Sequence, residues 1–210
     1  MDSAAQARET AGKQPVTLGS FMVDQGKIAA TIDLLVSGAL RLETLEQLTA
    51  DIGTRLLNAG LPLDYFALYT LSINPVVYGR RIYWTPGRGV RVQELSHASI
   101  ADIRIQGRGV AIKGATFSKR SARYRIGTDP DMDAYPPTQQ FKTAGMTDIF
   151  GAPLTFRESE SGAFVATTRS EEGFAAEHIR ALRIVQAPLA RVAEATVLDE
   201  NTVFVLSTYV

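Results

Sequence analysis

The sequence predicts an α+β fold: an antiparallel sheet with the terminal helices packed on one face and a long helix closing the chain. Three features point to it. Between about Leu34 and Ala59, the residues Leu35, Leu42, Leu45, Leu48, Ile52, Leu56 and Leu57 recur near the helical period. The middle of the chain divides into short runs rich in β-branched and aromatic residues, separated by Gly and Pro. From Leu182 to Val210, a further stripe returns at alternating steps of three and four.

Taken in order, Phe21 to Ala30 reads as a short helix or lead-in, and Leu34 to Ala59 as the first long helix. Gly60 stands at its C-terminal cap, and Pro62 bars continuation. Phe66 to Ile73 is a strand ended by the Asn74-Pro75 turn. Arg81 to Thr85 alternates as a second strand, closed by Pro86-Gly87, and Val90 to Leu95 is a third. Ser96 is an N-cap for a short helix from His97 to about Ile105, which Gly107-Arg108-Gly109 breaks. Val110 to Ile112 reads as extended, Ala122 to Ile126 as a strand, Asp129 to Pro137 as a loop and Phe141 to Gly145 as a helical turn. Thr147 to Phe156 and Ala163 to Thr168 form one hairpin through the polar connector Arg157 to Gly162. Glu171-Glu172-Gly173-Phe174 leads into the last helix, where Pro188 predicts a kink.

Composition removes several function classes. The length of 210 residues suits one large domain with extensions, and Lys plus Arg (22) equals Asp plus Glu (22). A broad basic footprint for nucleic acid is therefore absent. With no cysteine in the chain, disulfides, thiolate zinc sites, a cysteine nucleophile and a thioether-linked bilin are excluded. No apolar run approaches the roughly 20 residues that span a bilayer. Met1 to Pro15 is small and polar without a signal-peptide core, so residues 1–20 read as a disordered leader and the expected location is cytoplasmic.

The closing stripe, Leu182, Val185, Leu189, Val192, Thr196, Asp199, Val203, Leu206 and Val210, is a heptad seam. Such a seam predicts pairing with a second copy of the chain, a homodimer. Thr196 and Asp199 interrupt it with polar side chains, which set register at a cost in stability. The chain stops on the seam at Leu206-Ser207-Thr208-Tyr209-Val210 without a Gly or Pro, so a further domain is expected downstream.

Two groups of residues carry a family resemblance. One is Ala144-Gly145-Met146-Thr147-Asp148-Ile149, with Ala152-Pro153-Leu154-Thr155-Phe156, Phe164-Val165-Ala166-Thr167-Thr168 and Glu172-Gly173-Phe174. The other is Gly60-Leu61-Pro62-Leu63-Asp64, Asn74-Pro75 and Gly79-Arg80-Arg81-Ile82-Tyr83-Trp84. Together they resemble the N-terminal GAF-like regulatory domain of bacterial class III adenylate/guanylate cyclases, over about Leu34 to Val210. That family often has His at the Asn74 position and Tyr at the Ile149 position, so this chain departs from it at both. The resemblance implies a GAF-like sensor over 21–181 and a signalling helix over 182–210. That helix would enter a catalytic domain at a Leu-x-x-Tyr junction, here Leu206 to Tyr209. It supplies no catalytic residue: this chain would be the sensor, and its parent the cyclase.

Ligand candidates are Tyr83, Trp84, Arg123, Thr147 and Asp148. One of Tyr83 and Trp84 faces inward on its strand, either lining a small-molecule site or anchoring sheet to helix. Lys119, Arg120, Arg123 and Arg125 make an anion clamp or one solvated strand face. Asp148 bonds a ligand, or caps the Phe141 turn or nearby backbone. Asp129-Pro130-Asp131-Met132-Asp133 lacks the Gly and bidentate Glu of a calcium loop, since Ala134 and Gln140 stand there, so it reads as a turn. Gly87-Arg88-Gly89 and Gly107-Arg108-Gly109 lack the Lys-Ser/Thr of a phosphate loop. His97 and His178 are the only histidines, both near predicted helix starts, so haem is not expected and no metal or other cofactor is assigned. The rival to a sensor is a structural dimerisation module without a ligand. A stand-alone enzyme ranks last, because no nucleophile–base or metal-ligand constellation is present.

Overall fold

The computed structural model describes residues 22–38, 44–71, 78–96, 120–128, 130–133, 136–157 and 162–208. The expected Asn74-Pro75 turn, the His97–Ile105 helix and the Val110–Ile112 segment lie outside them. Six strands form one antiparallel sheet in the order β3-β2-β1-β6-β5-β4. They are β1 Tyr65–Leu71, β2 Gly79–Thr85, β3 Gly89–Leu95, β4 Ala122–Arg125, β5 Asp148–Leu154 and β6 Gly162–Thr168. Three helices cover one face: α1 Gln25–Ser37, α2 Leu45–Asn58 and α5 Ala176–Thr208. Two short ones, α3 Pro130–Asp133 and α4 Pro136–Thr143, connect β4 to β5.

The expected helix from Leu34 to Ala59 is two helices. Gly38 ends α1 in the left-handed conformation (φ 65°), and Thr44 starts α2 by accepting a hydrogen bond from Gln47 N at 3.3 Å. A period of 3.6 carries across such a break because both helices turn apolar residues into the same core, Ile28 and Leu35 from α1 and Leu45, Leu48, Ile52 and Leu56 from α2. Gly60 closes α2 as the sequence predicts. Leu61 N donates to Leu56 O and Gly60 N to Leu57 O, a Schellman pair that needs the positive φ of 93°. The Asp129–Pro137 stretch, expected as a loop, carries α3 and the start of α4.

Strand alternation sends Phe66, Leu68, Ile82, Trp84, Phe150, Phe164 and Ala166 to the helical face, where all are buried. Leu45, Leu48, Ile52 and Leu56 of α2 meet them. Trp84 lies against Gly53, where an added Cβ would overlap the indole ring. Gly53→Ala should therefore lose about 1–2 kcal/mol of stability despite alanine's better helix propensity. A melting midpoint at or above the parent value would show that the indole can slide aside.

Helix α5 runs 33 residues. Leu182, Val185, Leu189, Ala193, Thr196 and Val197 are buried on the chain's own sheet and helices, and Val192 packs half-buried beside them. This corrects the seam. From Leu182 to Thr196 the stripe read as a face for a second copy is the face that closes the chain's own core. A 3.5 spacing and a 3.6 spacing differ too little over four turns to tell the two apart. Farther on, Asp199 is exposed, Val203 is 67% exposed and Leu206 lies in the last turn. Gln186 donates to Pro153 O at 2.8 Å, Arg191 to Thr155 O, and Arg157 N to Glu194, stitching α5 to the end of β5. Glu200 accepts from Arg80 of β2 and from Leu45 N at the start of α2.

Candidate functional site

The other sheet face carries a second cluster, formed by Tyr65, Ala67, Tyr124, Phe141, Met146, Ile149 and Val165, with Tyr69 and Tyr83 packed against it. Strand register builds it. Tyr65, Ala67 and Tyr69 share one face of β1, Ala67 is paired with Tyr83, and Tyr69 with Arg81. Phe141 and Met146 arrive from the end of α4. A second Schellman pair, Met146 N to Phe141 O and Gly145 N to Lys142 O, turns the chain there. The Tyr65 ring stacks on Tyr83 at 5.5 Å and meets Phe141 edge-on at 5.4 Å. Arg81 lies over the Tyr83 ring, with Cζ 5.1 Å from its centroid, and donates to Gln93 on β3.

Two polar atoms in this face are buried without a hydrogen-bond partner: the Tyr65 hydroxyl and Nε of Arg81. Burial pushes the Tyr65 phenol well above its usual range, so it remains a neutral donor. For Arg81 burial opposes the charge, but the neighbouring Tyr69 and Tyr65 outweigh it and hold the guanidinium above its ordinary value. Tyr124 is occupied: its hydroxyl donates to Asp133 at 2.5 Å, and Lys142 donates to the same carboxylate at 2.8 Å. With Lys142 first, then Tyr124 and Gly127 N, these bonds draw Asp133 down to about 2.

Of the five ligand candidates named from the sequence, only Tyr83 lies on this face. Trp84 faces the helices as a core aromatic. Arg123, Thr147 and Asp148 belong to a separate clamp that holds the start of α5. The buried Asp148 carboxylate accepts from Arg123 Nη2 at 2.6 Å and from Phe174 N at 2.8 Å. Arg123 Nη2 also donates to Phe174 O at 2.6 Å, and Arg125 donates to the carbonyls of Glu172 (2.7 Å) and Glu171. Thr147 donates to Ser170 O at 2.5 Å. Arg123 and Arg125 are both exposed, as a solvated strand face requires, and they also bond the chain itself, Arg123 through the Asp148 carboxylate and Phe174 O and Arg125 through two backbone carbonyls. Lys119 lies outside the described residues. Tyr65, Tyr69 and Arg81 were not singled out, although the period-two recurrence of Tyr65 and Tyr69 on one strand is a signal in the sequence.

His178 sits at the third position of α5, buried, with Nδ1 accepting from Ala175 N at 3.0 Å. That is the bond a Glu or Gln makes in a capping box. Burial pushes the ring below the usual histidine range, opposed by Glu177 and reinforced by Arg123. The unfolded chain then binds a proton near pH ~6.5 that the folded chain refuses. Stability is full above that pH and falls as acid is added, down to the lowered folded value. His178→Gln, which keeps the cap, should flatten denaturant midpoints across that window. A parent-like acid loss in the variant would assign the titration elsewhere.

No protein-family model and no curated protein sequence matches the chain. Solved structures do. The phycocyanobilin-bound GAF domain of a cyanobacterial phytochrome aligns at 14% identity over 84% of this chain and 97% of that one, with a TM-score of 0.54. The GAF domain of an Acinetobacter phosphoenolpyruvate-protein phosphotransferase aligns at 12% identity over 84% and 96%, with a TM-score of 0.51. That of a two-component sensor histidine kinase from Bacillus halodurans aligns at 8% identity over 79% and 99%, also at 0.51. These parents differ among themselves, and none of the three is a cyclase. At such identities the likeness is one of architecture: the chain has the fold of a GAF domain.

Proposed function

We propose that this chain is the sensory domain of a larger signalling protein, binding a small molecule on the Tyr65–Arg81 face and reporting it through α5. The observation that carries the reading is the pair of buried, unpartnered donors on that face, the Tyr65 hydroxyl and Arg81 Nε. Buried donors cost free energy until an acceptor meets them, so a bound molecule with acceptor atoms is stabilised there. Arg81 and Arg80 are adjacent on β2 and point to opposite faces. Arg80 grips Glu200 on α5. A ligand that draws Arg81 shifts the strand, and the strand shifts the grip on the helix.

The output in this reading is a class III nucleotide cyclase domain after Val210, working in the cytoplasm as a homodimer. Its support is the sequence resemblance around Gly145–Phe174 and Leu206–Tyr209. The dimer contact then belongs to the far part of α5, where Val203 and Val205 are exposed. A reading frame that continues past the Val210 codon into paired metal-binding aspartates supports the cyclase; any other downstream domain overturns it. For the sensor itself, native mass spectrometry of the 210-residue chain should detect a retained small molecule that Tyr65→Phe releases. A chain that dimerises but takes up nothing from an extract of its host is the structural dimerisation module instead.

A further inference from the structure

The joint between β6 and α5 is held by side chains that bond its backbone. Thr147 donates to Ser170 O, Arg125 to Glu171 O and Glu172 O, and Arg123 to Phe174 O. Asp148 accepts from Phe174 N. The next amide along, Ala175 N, donates to Nδ1 of His178 at 3.0 Å. Of the side chains that make these bonds, only the histidine exchanges a proton near neutral pH. Carboxylates and guanidiniums keep their charge there, and threonine has none.

The direction of that bond decides what a proton does. Nδ1 is the acceptor, so the neutral ring carries its hydrogen on Nε2, and a second proton can enter only at Nδ1. There it meets the Ala175 N–H, and the bond that starts the helix is lost. The charge also arrives on a buried ring that stands edge-on to Phe174, with 6.4 Å between centroids. Among the described residues two charged groups act on that ring. Glu177, exposed on the same helix, favours the charge, and Arg123 of β4 opposes it. The carboxylate that β5 brings to the joint, Asp148, is already bonded by Arg123 and Phe174 N. A charged His178 therefore loses Ala175 N and repels the guanidinium that holds Phe174 O. Both neighbouring grips on the start of α5 weaken together.

We propose that His178 is an acid-operated latch: protonation of its ring frees the first turn of α5 while the rest of the helix stays packed. Leu182, Val185 and Leu189 hold the remainder through burial in the core, which no proton disturbs. The proton is then an input of its own at the root of the helix. The latch stands whether or not the Tyr65–Arg81 face takes a small molecule.

The test follows amide hydrogen exchange by NMR on the 210-residue chain between pH ~7.5 and pH ~5, corrected for the intrinsic exchange rate. The probes are the amides of Phe174, Ala175 and Ile179, each bonded within the joint. Their opening constants should rise towards about 10-fold per pH unit below pH ~6.5, the slope of one proton. That opening should depend little on added denaturant, because it exposes little surface, whereas β1 and β6 amides should follow global unfolding. In His178→Gln, which keeps an acceptor for Ala175 N, the rise with acid should vanish. The ring signals of His178 report its protonation directly in the parent chain. Protonation of His178 without a rise in opening overturns the latch. So does a rise that shares the denaturant dependence of β1 and β6, or one that persists in His178→Gln. The first two results need only the parent chain and do not depend on the variant folding.

Discussion

Replacing Arg123 with methionine is expected to lower the unfolding free energy by about 3–5 kcal/mol, because it strands a buried charge. The Asp148 side chain has no exposed surface, and its cationic partner is Arg123. Phe174 N alone would remain to meet the carboxylate. The melting midpoint should fall by roughly 6–20 °C for a domain of this size. Pairing the change with Asp148→Leu should recover part of the loss, since an apolar pair does not carry the cost of burying charge. A loss under about 1 kcal/mol in the single variant would mean that water reaches the carboxylate, and the clamp would then not be what fixes the start of α5.

The second large effect distinguishes core from interface along α5. Leu182→Ala and Leu189→Ala should each cost about 2–5 kcal/mol, as expected for leucines buried among sheet and helix residues. Val203→Ala, at an exposed position, should change chain stability by no more than about 0.5 kcal/mol. Denaturant unfolding over a range of protein concentrations is the readout. A loss that is the same at every concentration places both leucines in the chain's own core. A loss that grows on dilution would return them to a contact between two copies.

The two clusters divide the work of the molecule between the faces of the sheet. On one face α1, α2 and α5 supply the apolar burial that holds the chain together. On the other, aromatic rings and one arginine leave donors unmatched. Strands β1, β2, β5 and β6 contribute to both clusters, so a change on the second face has a short route to the helices on the first. Arg80 and Arg81 make the shortest such route, one residue apart on β2 and on opposite sides.

Much of the architecture was legible in the sequence, and the reasons are local. Alternation marked β1, β2, β3 and the β5–β6 hairpin to within two residues at most ends. Gly60 and Pro62 fixed the end of α2, because a left-handed residue and a missing N–H cannot be accommodated inside a helix. The site was much less legible. Asp148 and Arg123 carry the residue types of a ligand clamp, and only their distance from the Phe174 backbone reveals a structural one. Tyr65 and Arg81 lie on different strands, and nothing local says that they meet.

By itself, then, the sequence determined the number and kind of most elements, the faces of the strands and the lack of any thiol chemistry, since these follow from periodicity, turn residues and composition. Tertiary structure alone decided that one apolar stripe serves two helices, that Leu182 to Thr196 closes a core, and that a tyrosine and an arginine share an unmatched face. A stripe records that a surface must be buried but not what buries it, and pairing between strands is set by register over long stretches of chain.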